Sequence, residues 1–206
     1  MARYTGPRCK RARAVNIDLE LTSGVRTIEE KCKFGVAPGS NGQRRSRTSD
    51  YGIQLKMKQT IRNYYVLLEK QFKINYERAS RMQGATGNNL LLLLERRLDN
   101  IVYRLGFAST RSDSRQLVSH GHVLVNGKRV NIASYLVSEG DIVELKEASR
   151  SMDRVIFAAK MFETREKSDW LEGDHKSFTG KVLSFPTVED FPSFFKVNLV
   201  VEFYSK

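Results

Sequence analysis

Asn126 and Gly127 stand between the apolar run Val123 Leu124 Val125 and the run Lys128 Arg129 Val130. Both central positions of a type I′ turn need positive φ, which Asn and Gly tolerate best, so this pair signals a two-residue hairpin. After a turn at Gly140 Asp141, Ile142 Val143 Glu144 Leu145 is expected to add a third strand. Just upstream, Arg111 to His120 reads as a short helix, with Thr110 and Asp113 spaced as a capping box and Gly121 as its stop. A capped helix beside a hairpin makes a small αβ module, for which Leu117, Val118, Val123 and Val125 would be the apolar floor.

The flanking sequence reads differently. From Met1 to Thr48 no period is sustained, and Pro7, Gly24, Pro38, Gly39 and Gly42 punctuate the chain, which suggests an irregular, extended arm. Asp50 is a plausible N-cap for Ile53, Leu55, Ile61, Tyr65, Leu68 and Phe72, which recur at mostly helical spacing through two helices or one broken one. Gly84 to Gly87 then interrupts the pattern before a helix built on Leu90, Leu91, Leu94 and Leu98. Beyond Ser151, a helical stretch through Lys167 is expected, followed by Trp170 and Leu171 and by aromatic strands around Phe194, Phe195 and Phe203. The expected fold is therefore α+β: a mostly helical amino-terminal domain with an extended basic arm, and an inserted small αβ module with a hairpin. The implied domains are an arm over 1–48, a mostly helical domain over 49–98 plus 151–206, and the module over 99–150.

Charge narrows the partner. The 206 residues hold 35 Lys and Arg against 23 Asp and Glu, a net charge of +12, and residues 1–98 carry all of that excess while 99–206 balance to zero. A basic half points to a polyanion, because each phosphate neutralised by a cation releases condensed counterions. Nucleic acid leads. No membrane partner is expected, since purely apolar runs such as Leu90 to Leu94 fall far short of a spanning helix. Cys9 and Cys32 have no second pair to complete a tetrahedral zinc site, so no metal and no cofactor are expected. With no phosphate loop, metal-spaced histidine cluster or nominated nucleophilic triad, an enzyme is not expected either.

Cations in stiff and in flexible settings would then divide the work of binding. Arg111 and Arg115, four apart on the capped helix, and Lys128 and Arg129 at the hairpin tip would surround one concave surface suited to a bent RNA helix or junction. Arg44, Arg45 and Arg47 sit in a Gly-rich stretch able to follow a curved phosphate backbone. Arg3, Arg8, Lys10, Lys56, Lys58, Arg62, Lys70, Lys73, Arg104, Gln116 and His120 complete the candidate RNA-binding set. The bland reading is that such cations only solvate the surface.

The stretch from Arg97 Leu98 Asp99 Asn100 Ile101 Val102 Tyr103 Arg104 Leu105 Gly106 Phe107 to Ser114 Arg115 Gln116 Leu117 Val118 Ser119 His120 Gly121 resembles the RNA-binding module named after ribosomal protein four of the small subunit. That module also occurs in some pseudouridine synthases, bacterial tyrosyl-tRNA synthetases and a heat-shock RNA-binding protein. The segments Met1 to Pro7, Ser49 to Gly52 and Glu202 to Lys206 resemble the start, hinge and end of the bacterial-type ribosomal family itself, so the resemblance runs the full length. It implies a structural protein of the cytoplasmic ribosome that binds small-subunit ribosomal RNA at a multi-helix junction of the 5′ domain early in assembly. It also implies a place near the channel through which mRNA enters, with Arg44, Arg45 and Arg47 toward the messenger, and a contact with ribosomal protein five of the small subunit that tunes decoding accuracy.

The chain departs from the family pattern in places. Zinc-holding members use four cysteines in the arm, whereas here Ala12 and Arg26 lie near where two of them would be. A usual Pro-Gly-Gln-His-Gly reads Pro38 Gly39 Ser40 Asn41 Gly42, and Lys56 Met57 Lys58 replaces a common Arg-Glu-Lys. The rival function is a free-standing RNA chaperone or modification factor; a modification enzyme would need a catalytic domain for which no chain remains.

Overall fold

A computed structural model describes residues 4–39, 48–163, 165 and 167–205. The chain forms two compact units, one built from residues 1–91 with 192–206 and the other from 92–191.

In the first unit, the arm carries two short helices, α1 (Arg8–Val15) and α2 (Ile28–Lys31), between irregular stretches. Thr27 starts α2 with a reciprocal capping box to Glu30, while α1 ends at Asn16 with φ 57°, a left-handed position that Asn adopts readily. Helices α3 (Asp50–Tyr64) and α4 (Glu69–Ser80) follow. Ser49, and not Asp50, is the N-cap: its hydroxyl accepts from the Gly52 amide at 3.2 Å, which puts Asp50 in the first turn, where its charge suits the helix dipole. The break between the two helices falls at Val66, whose φ of 53° ends α3. Helix α5 (Thr86–Glu95) carries the chain into the second unit.

The aromatic carboxyl terminus is a helix, α10 (Val197–Tyr204), and not the expected pair of strands. Val197, Val200, Val201 and Tyr204 recur at helical spacing. Val200 is fully buried, Val197 sits against Gly87, and Tyr204 stacks on Tyr76 with centroids 4.5 Å apart. Phe194 and Phe195 lie before α10 and meet the Tyr64 ring edge-on at 6.1 and 5.1 Å. Burial against α3 and α4 therefore decides the conformation over the β propensity of Val and Phe.

The second unit is a five-stranded antiparallel sheet with helices packed on it. Its strands are β1 (Val123–Val125), β2 (Lys128–Arg129), β3 (Ile142–Leu145), β4 (Leu171–Asp174) and β5 (Thr179–Val182), in the order β2-β1-β3-β5-β4. The hairpin forms as expected, with Asn126 at φ 50°, Gly127 at φ 74° and Val125 opposite Lys128. Helices α6 (Leu98–Arg104) and α7 (Arg111–Ser119) pack against one another, and α8 (Glu147–Arg150) and α9 (Asp153–Phe162) follow β3. One core gathers Leu98, Ile101, Val102 and Leu105 from α6, Leu117 and Val118 from α7, Val123, Val125, Val143 and Leu145 from the sheet, and Trp170 and Val182 from beyond the module. The expected helix through Lys167 stops at Phe162, and residues 151–191, expected to rejoin the helical domain, instead complete this sheet and core.

Candidate nucleic-acid interface

The floor of the module is held by buried charge. Asp99 is 3% exposed, and its carboxylate takes Arg97 through Nε at 3.0 Å and Nη2 at 2.9 Å, and Arg115 through Nε at 2.8 Å and Nη2 at 2.5 Å. Burial alone would raise the Asp99 carboxyl, but the two guanidiniums override it and hold it below its ordinary value. Glu95, fully buried, accepts Arg104 through both oxygens at 2.5 and 2.7 Å and Asn100 at 2.5 Å. The other end of the Asn100 amide accepts from Arg111 Nε at 2.9 Å, and the Arg111 guanidinium lies 4.3 Å from the Tyr103 ring centroid.

This network engages three of the candidate RNA-binding residues within the protein. Arg111 is 3% exposed and turns into the protein, Arg104 is committed to Glu95 and to Ser168 at 3.0 Å, and Arg115 to Asp99. Arg111 and Arg115 do lie on one face of α7, but it is the face toward α6. Their charges cannot be left unpaired in the interior, and the carboxylates of Asp99 and Glu95 with the Asn100 amide meet that need.

Other positions of the module carry the exposed candidates. Thr110 caps α7 by accepting from the Asp113 amide at 3.2 Å, although the Asp113 carboxylate returns to the Ser109 amide and not to Thr110. That fixes the helix from which exposed Gln116 and His120 emerge. Lys128 and Arg129 are exposed on the hairpin, and the Arg129 guanidinium lies directly over Gly121, where any Cβ would collide with it. Lys146 and Arg154, which sequence reasoning did not assign to the site, come alongside His122. Their relevance depends on the return of the chain after β3, which no local pattern reveals.

In the first unit, Lys58 and Arg62 are likewise engaged within the protein. Lys58 Nζ donates to Glu69 Oε1 at 2.6 Å and Arg62 Nη1 to Glu69 Oε2 at 2.8 Å, with the Tyr204 hydroxyl donating to Glu69 at 3.0 Å. Burial works to raise the Glu69 carboxyl, but Lys58, Tyr204 and Arg62 bring it below its ordinary value, while burial and the Glu69 charge push the Tyr204 phenol up. Lys58 also lies 4.6 Å from the Phe203 ring centroid, an internal position. Arg8, Lys10, Lys56, Lys70 and Lys73 remain exposed on α1, α3 and α4. Arg3, Arg44, Arg45 and Arg47 lie outside the described residues.

Comparison with known proteins follows this division. Residues 3–95 match the family described as the ribosomal protein S4/S9 N-terminal domain, and residues 96–143 match the S4 domain. The small ribosomal subunit protein uS4 of Coxiella burnetii is 52% identical over 206 residues, all of both chains. The proteins of that name from Hahella chejuensis and Legionella pneumophila are 51% and 50% identical, again over the whole of both chains. The chain belongs to the uS4 family of small ribosomal subunit proteins.

Membership makes it a ribosomal protein and not an enzyme. In this uS4 chain both thiols are free, with Cys32 Sγ 3.3 Å from the Ile28 carbonyl oxygen, and burial together with the neighbouring Cys9 pushes the Cys32 thiol up. Among the described residues no group of three or more His, Cys, Asp or Glu side chains is arranged to hold a metal ion, and no helix is long and apolar enough to cross a membrane. What the arrangement offers instead is charge on stiff supports.

Proposed function

We propose that this uS4 family member binds small-subunit ribosomal RNA directly, as a structural component of the bacterial cytoplasmic ribosome. The observation that carries the reading is the presentation of Gln116, His120, Lys128 and Arg129 by a capped helix and a two-residue turn, in a chain matching uS4 relatives end to end. Cations on stiff supports recognise the shape of folded RNA, because they can neutralise phosphates only where the RNA places them correctly. Arg8, Lys10, Lys56, Lys70 and Lys73 add phosphate contacts from the amino-terminal unit.

In the finer reading, the protein meets a multi-helix junction of the 5′ domain early and so nucleates assembly there. Arg44, Arg45 and Arg47 lie toward the channel through which mRNA enters, and a contact with ribosomal protein five of the small subunit tunes decoding accuracy. These roles rest on family resemblance together with the charge of residues 1–98. The test is competition binding of the full chain between the 5′-domain junction and generic duplex RNA, which should favour the junction.

A further inference from the structure

His122 is crowded by positive groups that arrive from four elements. Its Nδ1 lies 2.8 Å from the hydroxyl of Ser149, a buried residue of α8. The Lys146 amide donates to the His122 carbonyl at 2.9 Å, which ties the Lys146 backbone to that of His122. His120, at the end of α7, has its ring centroid 6.1 Å from that of His122. Between these histidines lies Gly121, under the guanidinium of Arg129 from β2. From α9, Arg154 lies with Nη1 3.7 Å from Asp113, a long pairing in which the Arg154 side chain stays about one-third exposed and is therefore only weakly neutralised.

We propose that His120, His122, Arg129, Lys146 and Arg154 form a phosphate site that grips an RNA backbone phosphodiester, a site reaching past residues 96–143 of the matched S4 domain. The inference rests on the RNA-binding reading and deepens it. Residues 99–206 have no net charge, so the gathering of Arg129, Lys146 and Arg154 about two histidines is a product of the fold and not of composition. Like charges drawn together without adequate counter-charge raise the local potential and favour an anion. With no side chain at Gly121, the Arg129 guanidinium packs against the backbone there, in space that a Cβ would otherwise occupy.

The histidine gives the site a proton-linked signature. Burial first, and then the charges of Arg154, His120, Lys146 and Arg129, hold the His122 imidazole below 6.5, so it is neutral in the free protein at neutral pH. With the Ser149 hydroxyl on Nδ1, Nε2 is the ring nitrogen left for a ligand. A phosphate placed beside it favours the charged form and raises its pKa in the complex. Complex formation then takes up a proton, and binding tightens as pH falls toward 5.5.

The experiment uses the full chain and 5′-domain ribosomal RNA. Replacing both Lys146→Gln and Arg154→Gln should reduce the slope of log K against log salt by about 1.4 to 1.8, two contacts' worth. The charge-matched control Lys160→Gln with Lys181→Gln, both exposed in this unit, should keep the wild-type slope, and thermal melts should show all variants folded. Imidazole NMR titration should find His122 raised in the RNA complex, and His122→Gln should flatten the tightening at low pH. Inorganic phosphate at matched phosphate concentration should leave His122 unmoved; an equal response would overturn the backbone assignment. An unchanged slope in the double variant, with wild type still binding the junction selectively, overturns this site alone. Failure of wild type to bind selectively overturns the underlying RNA reading as well.

Discussion

Asp99 and Arg111 mark the limits of reading single residues from sequence. Asp99, in the first turn of α6 and two residues after Arg97, pairs with both Arg97 and Arg115. Arg111 was not legible, because its place depends on Tyr103 and Asn100 arriving from α6, a tertiary event that i to i+4 spacing does not encode. A prediction follows from Asp99. Asp99→Asn leaves two guanidiniums buried without their counter-charge and should cost about 3 to 5 kcal/mol, as removal of one partner from a buried pair does. Urea unfolding of the variant would show it as a lower midpoint, and a loss below about 1 kcal/mol would contradict the buried network. The same carboxyl is held below its ordinary value, so its contribution is present above pH 3.8 and is lost as pH falls through the lower folded-state value.

At the level of elements, local chemistry decided what was legible. The Asn126 Gly127 hairpin, β3, α7 and the two-helix reading of residues 50–80 were legible because turns, caps and periodicity are written in neighbouring residues. Helix α10 was misread because Val and Phe favour strands, and only the packing of Val200 and Tyr204 shows the helical period at work. Strand β5 joins the module's sheet by pairing with β3, Ile142 opposite Lys181, and β4 follows by pairing with β5, a long-range contact that no local pattern records. For the hairpin, Gly127→Ala should cost about 1 to 2 kcal/mol, since φ 74° is strained for an L side chain while nothing lies within 4 Å of the added Cβ. Urea unfolding with unchanged m would confirm a purely backbone effect. A neutral substitution would mean that the turn relaxes out of the type I′ conformation.

Across the whole molecule, charge and histidine placement set the response to solution conditions. His122 and His175 are both held below 6.5, chiefly by burial. The unfolded chain therefore binds more protons than the native one just below that pH, so stability is fullest above about 6.5 and declines as pH falls. Thermal melts should show Tm falling from pH 7.5 to 5.5, less steeply in a His122→Gln, His175→Gln variant; a flat profile in wild type would contradict the burial of the two rings. The measurement that bears most directly on the central claim is competition binding of the full chain to the 5′-domain junction and to generic duplex RNA, across a range of salt concentrations. The account predicts preference for the junction and affinity that falls steeply with salt, by about 0.7 to 0.9 in log-log slope per phosphate contacted. Equal competition by duplex, or affinity indifferent to salt, would contradict it.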